Sequence, residues 1–215
     1  MMKILKKDVL SFSGNQQIMG QGIFLIVEGY LIQESNGTFI QFLKQGSIFQ
    51  MDKGDNWFQY FSRGKCFLLE VESEKYTEEM VYDTTERLIQ ALRRYRLSGK
   101  ERIESLLYQI GMDIGIKNNQ DIYIPVPCSQ SELARYSNVS REYFVKMKND
   151  LVENERIELR KRNWVLLQSE EWRKGANYLF YTLKIGGVIM RKMGSIRRFN
   201  RFYSYYEENG KHQAV

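Results

Sequence analysis

Residues 129–151 read SQSELARYSNVSREYFVKMKNDL, two short helical patterns around one tight turn. Ser129 stands three residues before Glu132, the spacing at which a hydroxyl and a carboxylate satisfy each other's free backbone donors at a helix start. Leu133 and Tyr136 supply an apolar side, and the first helix stops at Ser137-Asn138. Asn is one of the few residues besides Gly that enters the left-handed region at modest cost, as a sharp inter-helix turn often requires. Ser140 is placed to cap a second helix. Along it, at roughly 100° per residue, Phe144, Met147 and Leu151 share one side, while Arg141, Glu142, Val145, Lys146 and Asn149 share the other. The first side packs on the preceding helix. The second offers cations, a carboxylate and an amide on successive turns, a set that can read base edges in a major groove.

Helix pairs with charged outer faces also occur in bundles that touch no nucleic acid, so the following residues carry weight. Ile157-Glu158-Leu159 and Trp164-Val165-Leu166-Leu167 flank Arg160-Lys161-Arg162-Asn163, predicting two strands around a basic hairpin tip. A basic tip beside a reading helix clamps phosphate. Together these elements predict a winged helix-turn-helix.

Composition sets the outer bounds. The 215 residues suffice for one large or two small domains, and 43% hydrophobic with 27% charged residues marks an ordinary soluble globular chain. No apolar run approaches the roughly 20 residues that span a bilayer, and the opening MMKILKKDVL is too short and too charged for a signal peptide. Cys66 and Cys128 build neither a disulfide framework nor a zinc cluster. A cytoplasmic protein without membrane association is expected. The single histidine, His212, gives no support to metal, haem or His-dependent acid–base chemistry. With no Ser/His pair, metal triad or Gly-rich phosphate loop, neither an enzyme nor a cofactor is expected. Of the formal net charge of +6, the stretch from Trp172 onward supplies nine Lys/Arg against two Glu. Such a basic segment suits nucleic acid, with a solvated basic surface as the bland alternative.

The remaining chain sorts into domains by periodicity. Residues 1–76 read as short strands, with Asn36-Gly37 a strong two-residue hairpin signal and strands expected over 57–61 and 65–71. Residues 77–97 switch to helical spacing, and Val81, Thr85, Leu88, Leu92 and Tyr95 recur in steps of four and three, the seam of a coiled coil. That seam could equally pack on its own β domain. A capped helix follows from Ser98, ending at Gly111 and Gly115, with a loop at Asn118-Asn119. Ile122 to Pro127 predicts an edge strand for the wing. Residues 98–171 make the winged helix domain, and 172–215 a basic, aromatic extension. The fold class is α+β.

This order of parts resembles the Crp/Fnr superfamily of bacterial transcription regulators, its PrfA-like branch more than its cyclic-AMP-binding members. The most specific matches are SGKERIESLLYQIG and SQSELARYSNVSREYFVKMKNDL, with GIFLIVEGYLIQESNGTFIQFLKQGSIF similar to the start of the family's β-roll. The resemblance implies a homodimer joined through 77–97 and bound to double-stranded DNA. Its Ser-Arg-Glu helix opening falls on Ser140, Arg141 and Glu142, implying Arg141 to guanine, Glu142 to cytosine and Lys146 to a base or phosphate. Ser129, Ser131 and Ser140 fall at phosphate-contact positions, and Lys161 and Arg162 carry the wing-tip chemistry. RNA polymerase as a partner and an unknown effector stay open. Two departures matter. About 75 residues precede the long helix, against the ~100 a complete eight-stranded roll needs at ordinary strand and turn lengths. The stretch after Gly46, SIFQMDKGDNWF, lacks the phosphate-holding Arg of the nucleotide-binding members, so no cyclic nucleotide is expected. Sequence-independent DNA binding, or a small-molecule or peptide sensor using the roll, are the alternatives to a sequence-specific regulator.

Overall fold

The computed structural model describes residues 3–4, 9–52, 57–72, 77–125, 128–161 and 163–173. Arg162, Val126-Pro127, Lys53 to Asn56 and the extension beyond Arg173 lie outside them.

Seven strands form an antiparallel sheet: β1 (Lys3–Ile4), β2 (Leu10–Phe12), β3 (Gln17–Ile18), β4 (Gly22–Ser35), β5 (Thr38–Lys44), β6 (Ile48–Met51) and β7 (Gln59–Glu72). β4 and β7, each 14 residues long, pair along their length, and the shorter strands add to one or the other. The β4–β5 hairpin turns on Asn36 (φ 48°) and Gly37 (φ 76°), both in the positive region that a twisted two-residue turn needs. The β4–β7 register shifts around Glu28, and Gly29 sits there at φ 96°. A Cβ at Gly29 would stand 2.4 Å from the Lys65 carbonyl oxygen, so only glycine lets the strands approach at this bulge.

The two strands expected over 57–61 and 65–71 are one. β7 continues through Gly64 at φ 74°, and Trp57 belongs to the preceding turn. A glycine that looks like punctuation in the sequence bends the strand without ending its pairing.

Alternation along β4 and β5 serves two cores. Leu31 and Leu43 join Ile18, Phe24, Ile26, Phe49, Met51, Tyr60, Cys66 and Leu68 on one face. Their neighbours Ile32 and Phe42, with Phe39, face a second core shared with the helices. Because β5 is covered on both faces, its sequence TFIQFLK is nearly continuous in apolar residues instead of alternating with polar ones.

Two helices follow, α1 (Thr77–Arg94) and α2 (Gly99–Ile114). Ser98 and Glu101 form the expected capping box. Gly111 does not end α2; a Cβ there would lie 3.0 Å from Leu166 and 3.2 Å from Ile122, so it is a close-packing position inside the helix. Three polar side chains tie the helices to β5. Arg94 donates to the Phe39 carbonyl at 2.8 Å and to Gln109, Gln109 donates to the Ile40 carbonyl at 2.6 Å, and Asp113 accepts from the Phe42 amide at 3.1 Å.

A second, four-stranded sheet comprises β8 (Ile116–Asn118), β9 (Asp121–Ile124), β10 (Ile157–Arg160) and β11 (Asn163–Leu166), in the order β10-β11-β9-β8. The segment expected at the edge, β9, is internal. Asn119, at φ 53°, makes the turn expected at Asn118-Asn119, and β8 before it pairs with β9 and takes the edge. Trp172, grouped with the extension by sequence, belongs to the core: it is 2% exposed and its indole donates to the Leu167 carbonyl at 2.9 Å.

Candidate nucleic-acid interface

Residues 129–153 form α3 (Gln130–Tyr136) and α4 (Arg141–Glu153), joined by a turn. Ser129 accepts from the Glu132 amide at 3.2 Å while the Glu132 carboxylate accepts from the Ser129 amide at 3.0 Å. Asn138 takes φ 50° between the helices, the left-handed conformation expected of it. Ser140 caps α4 by accepting from the Tyr143 amide at 3.1 Å. Leu133, Ala134 and Tyr136 of α3 join Phe144 and Leu151 of α4 in the shared core, with Met147 packed against it. Phe144 meets Trp164 of β11 edge-on, ring centroids 6.1 Å apart, which seats α4 between α3 and the hairpin.

With that side buried, Arg141, Glu142, Lys146 and Asn149 are exposed together along α4. The Glu142 carboxyl is held below the usual range by its own backbone amide and the Ser140 hydroxyl, so it stands as an ionised acceptor. Tyr143 is also exposed and lies across the start of α2, where a Cβ on Gly99 would come within 2.9 Å of its ring. The serines differ in what they have left to offer. Ser129 gives its hydroxyl proton to Glu132, Ser140 uses its oxygen in the cap, and Ser131 is exposed. At the hairpin tip Lys161 is exposed at φ 59°. Its neighbour Arg160 is engaged with Glu158 through two hydrogen bonds of 2.8 Å.

Sequence reasoning missed the residues that hold this unit in place. Arg102 of α2 donates to the carbonyls of Ser137 and Asn138, at 2.9 and 3.1 Å, and to that of Leu97 at 3.1 Å, pinning the turn between α3 and α4. Arg135 of α3 reaches the carboxylate of Glu34 in β4 at 2.9 Å, and the Tyr136 hydroxyl donates to the same carboxylate. Arg63 of β7 stands 2.6 Å from Glu132. Apart from Arg102 and Leu97, these partners stand 35 to 102 residues apart and leave no periodic trace in a sequence.

The exposed residues of α1 also differ from the row expected from spacing. Thr85, Ile89 and Leu92 form the exposed row, Leu92 at 57%, while Ala91 and Arg94 face inward. Leu88 is half-buried at the side of this row. Tyr95 lies beyond the end of α1, its hydroxyl 3.0 Å from that of Thr38. The Val81 side chain lies outside the described set. Ile89 therefore takes the place that spacing assigned to Leu88: a register of 85, 89 and 92 has the same steps, and only the inward side tells them apart.

Burial pushes the Cys66 thiol up to about 11 and the Cys128 thiol up to about 12, so neither is a ready thiolate. Among the described residues no group of His, Cys, Asp or Glu could hold a metal ion. None of their helices is long and apolar enough to cross a membrane.

No family model matches the sequence, and no curated protein does. Solved structures do match in shape. The chain is similar to FixK2 from Bradyrhizobium japonicum, with a TM-score of 0.60, 13% identity, and coverage of 79% of this chain and 97% of that one. It is similar to a CooA mutant from Carboxydothermus hydrogenoformans, with a TM-score of 0.60, 15% identity, and coverage of 79% and 87%. It is also similar to a CRP/FNR-family transcriptional regulator from Thermus thermophilus, with a TM-score of 0.57, 14% identity, and coverage of 79% and 98%. Identities this low speak for architecture and not for chemistry. The sheet, the long helix and the paired helices of this chain are arranged in the CRP/FNR fold.

Proposed function

We propose that this chain is a homodimeric transcription regulator of the CRP/FNR type that reads a palindromic DNA site through the major groove, without cyclic AMP. The winged helix-turn-helix is α3, α4 and the β10–β11 hairpin. The observation that carries this reading is the exposed row Arg141, Glu142, Lys146 on a helix whose other side is buried and whose start is capped. Arg141 and Glu142 have the donors and acceptors for guanine and cytosine edges, and Lys146 reaches a base or phosphate. Ser131 and Lys161 supply phosphate contacts, with Arg162 beside Lys161 in sequence and Ser129 and Ser140 serving chiefly as caps. The row Thr85, Ile89, Leu92 on α1 is the dimer seam, presenting two reading helices to half-sites about one helical turn apart. Independence from cyclic AMP is supported by the missing phosphate-holding Arg and by a first core whose Phe49 and Tyr60 rings pack 4.6 Å apart. An RNA polymerase contact and an effector are left open. Selection of bound sequences from a random duplex pool tests the reading: an inverted repeat is expected, and a pool with no motif refutes it.

A further inference from the structure

The exposed reading face and the exposed seam belong to different elements, and one body joins them. Arg94 of α1 is fastened to the Phe39 carbonyl of β5 at 2.8 Å. Directly across the same hairpin, paired with Phe39, Glu34 of β4 accepts from both terminal guanidinium nitrogens of Arg135, at 3.3 and 2.9 Å, and from Tyr136, both on α3. Arg63, on the β7 strand paired to β4, holds Glu132 at 2.6 Å. Phe39 closes the contact with its ring 5.2 Å from that of Tyr136. The turn end of this one hairpin thus holds both the seam helix, through Phe39, and α3, through Glu34.

This grip leaves the reading face open. It uses Glu132, Arg135 and Tyr136 of α3, while Arg141, Glu142 and Lys146 of α4 stay exposed. Glu34 and Arg63 themselves cannot reach a base, because their side chains are only 3% and 8% exposed. A buried carboxylate engaged by a cation and a phenol is held in one arrangement, since removing either partner leaves charge stranded away from water. A reading group needs placement within about 0.5 Å by the residues behind it, and a dimer needs both heads held at one separation.

We propose that Glu34 and Arg63 are positioning residues that fix the half-site spacing this regulator accepts. This rests on the dimeric, DNA-reading function proposed above. The hairpin end is then the joint between seam and reading head, and the polar grip on α3 fixes how far the head stands from the seam. Loosening the grip leaves each head able to read its own half-site but widens the range of spacings tolerated.

The test uses the full chain and duplexes built on the selected inverted repeat, with the gap between half-sites kept, shortened or lengthened by one base pair. Glu34→Gln keeps the side chain's shape and removes its charge; Arg63→Gln attacks the second contact independently. Each is measured by titration at a temperature where circular dichroism shows it folded, with sedimentation confirming the dimer. The wild-type chain is expected to bind the altered gaps at least tenfold more weakly than the native gap. In either variant that penalty is expected to shrink at least threefold, with affinity for a single half-site unchanged. A variant whose gap penalties match the wild type's overturns the proposal, as does a uniform loss at all gaps, which marks a merely structural role. If Glu34→Gln does not fold, Arg63→Gln decides. A wild-type chain that selects no inverted repeat sinks the DNA-reading proposal and this one with it. An inverted repeat read with any gap equally sinks only this one.

Discussion

The carboxylate of Asp113, in α2, accepts a hydrogen bond from the backbone amide of Phe42, in β5, at 3.1 Å. Arg87 of α1 stands 2.9 Å away on the other side. Burial outweighs both partners, and the Asp113 carboxyl is pushed up to about 6. Its folded value therefore lies above its unfolded one, so the native state binds a proton that the unfolded chain has released. The stabilising contribution is fully present below about pH 4 and fades as pH rises through about 6. Asp113→Asn should flatten this part of the stability profile, by on the order of 3 kcal/mol across the window at 1.36 kcal/mol per unit. Chemical denaturation at pH 4.5, 5.5 and 6.5 checks it; parallel profiles for variant and wild type refute the assignment.

Arg141→Ala and Lys161→Ala should fail differently. Loss of a base-reading guanidinium is expected to cost about 1–3 kcal/mol on the selected site and to relax preference at one base position. Loss of a phosphate contact at the wing should weaken selected and scrambled duplexes alike and lower the salt slope by about 1. Equal losses on both duplexes for Arg141→Ala would argue against direct reading.

Ile89→Lys and Leu92→Lys place a charge on the exposed row of α1. If α1 is the dimer contact proposed above, both should sediment as monomers where the wild type is a dimer, because burying an ammonium in an apolar seam is costly. Unchanged assembly in both variants would remove α1 as the dimer contact.

What could be read from sequence was local. The Ser98/Glu101 and Ser129/Glu132 boxes, the Asn36-Gly37 turn and the left-handed Asn138 each depend on side chains within a few residues of the backbone they serve. The buried side of α4 was legible for the same reason, since helical spacing sorts Phe144 and Leu151 from Arg141 and Lys146. What escaped was decided at a distance. Ile116–Asn118 carries no strand signal of its own and becomes one because β9 offers it a partner. Gly64 and Gly111 look like stops until the strand or helix on either side is seen to continue. Glu34 and Arg135 are 101 residues apart, and neither announces the other.

Ile32, Phe39 and Phe42 of the sheet share one hydrophobic core with Phe144, Leu151 and Trp164 of the head formed by α3, α4 and the β10–β11 hairpin. There is then no layer of water between the two along which heat could prise them apart. They should melt as one cooperative body, and a protease should find no easy cut that frees a self-standing head. For anyone wishing to graft this head onto another scaffold, the sheet has to travel with it.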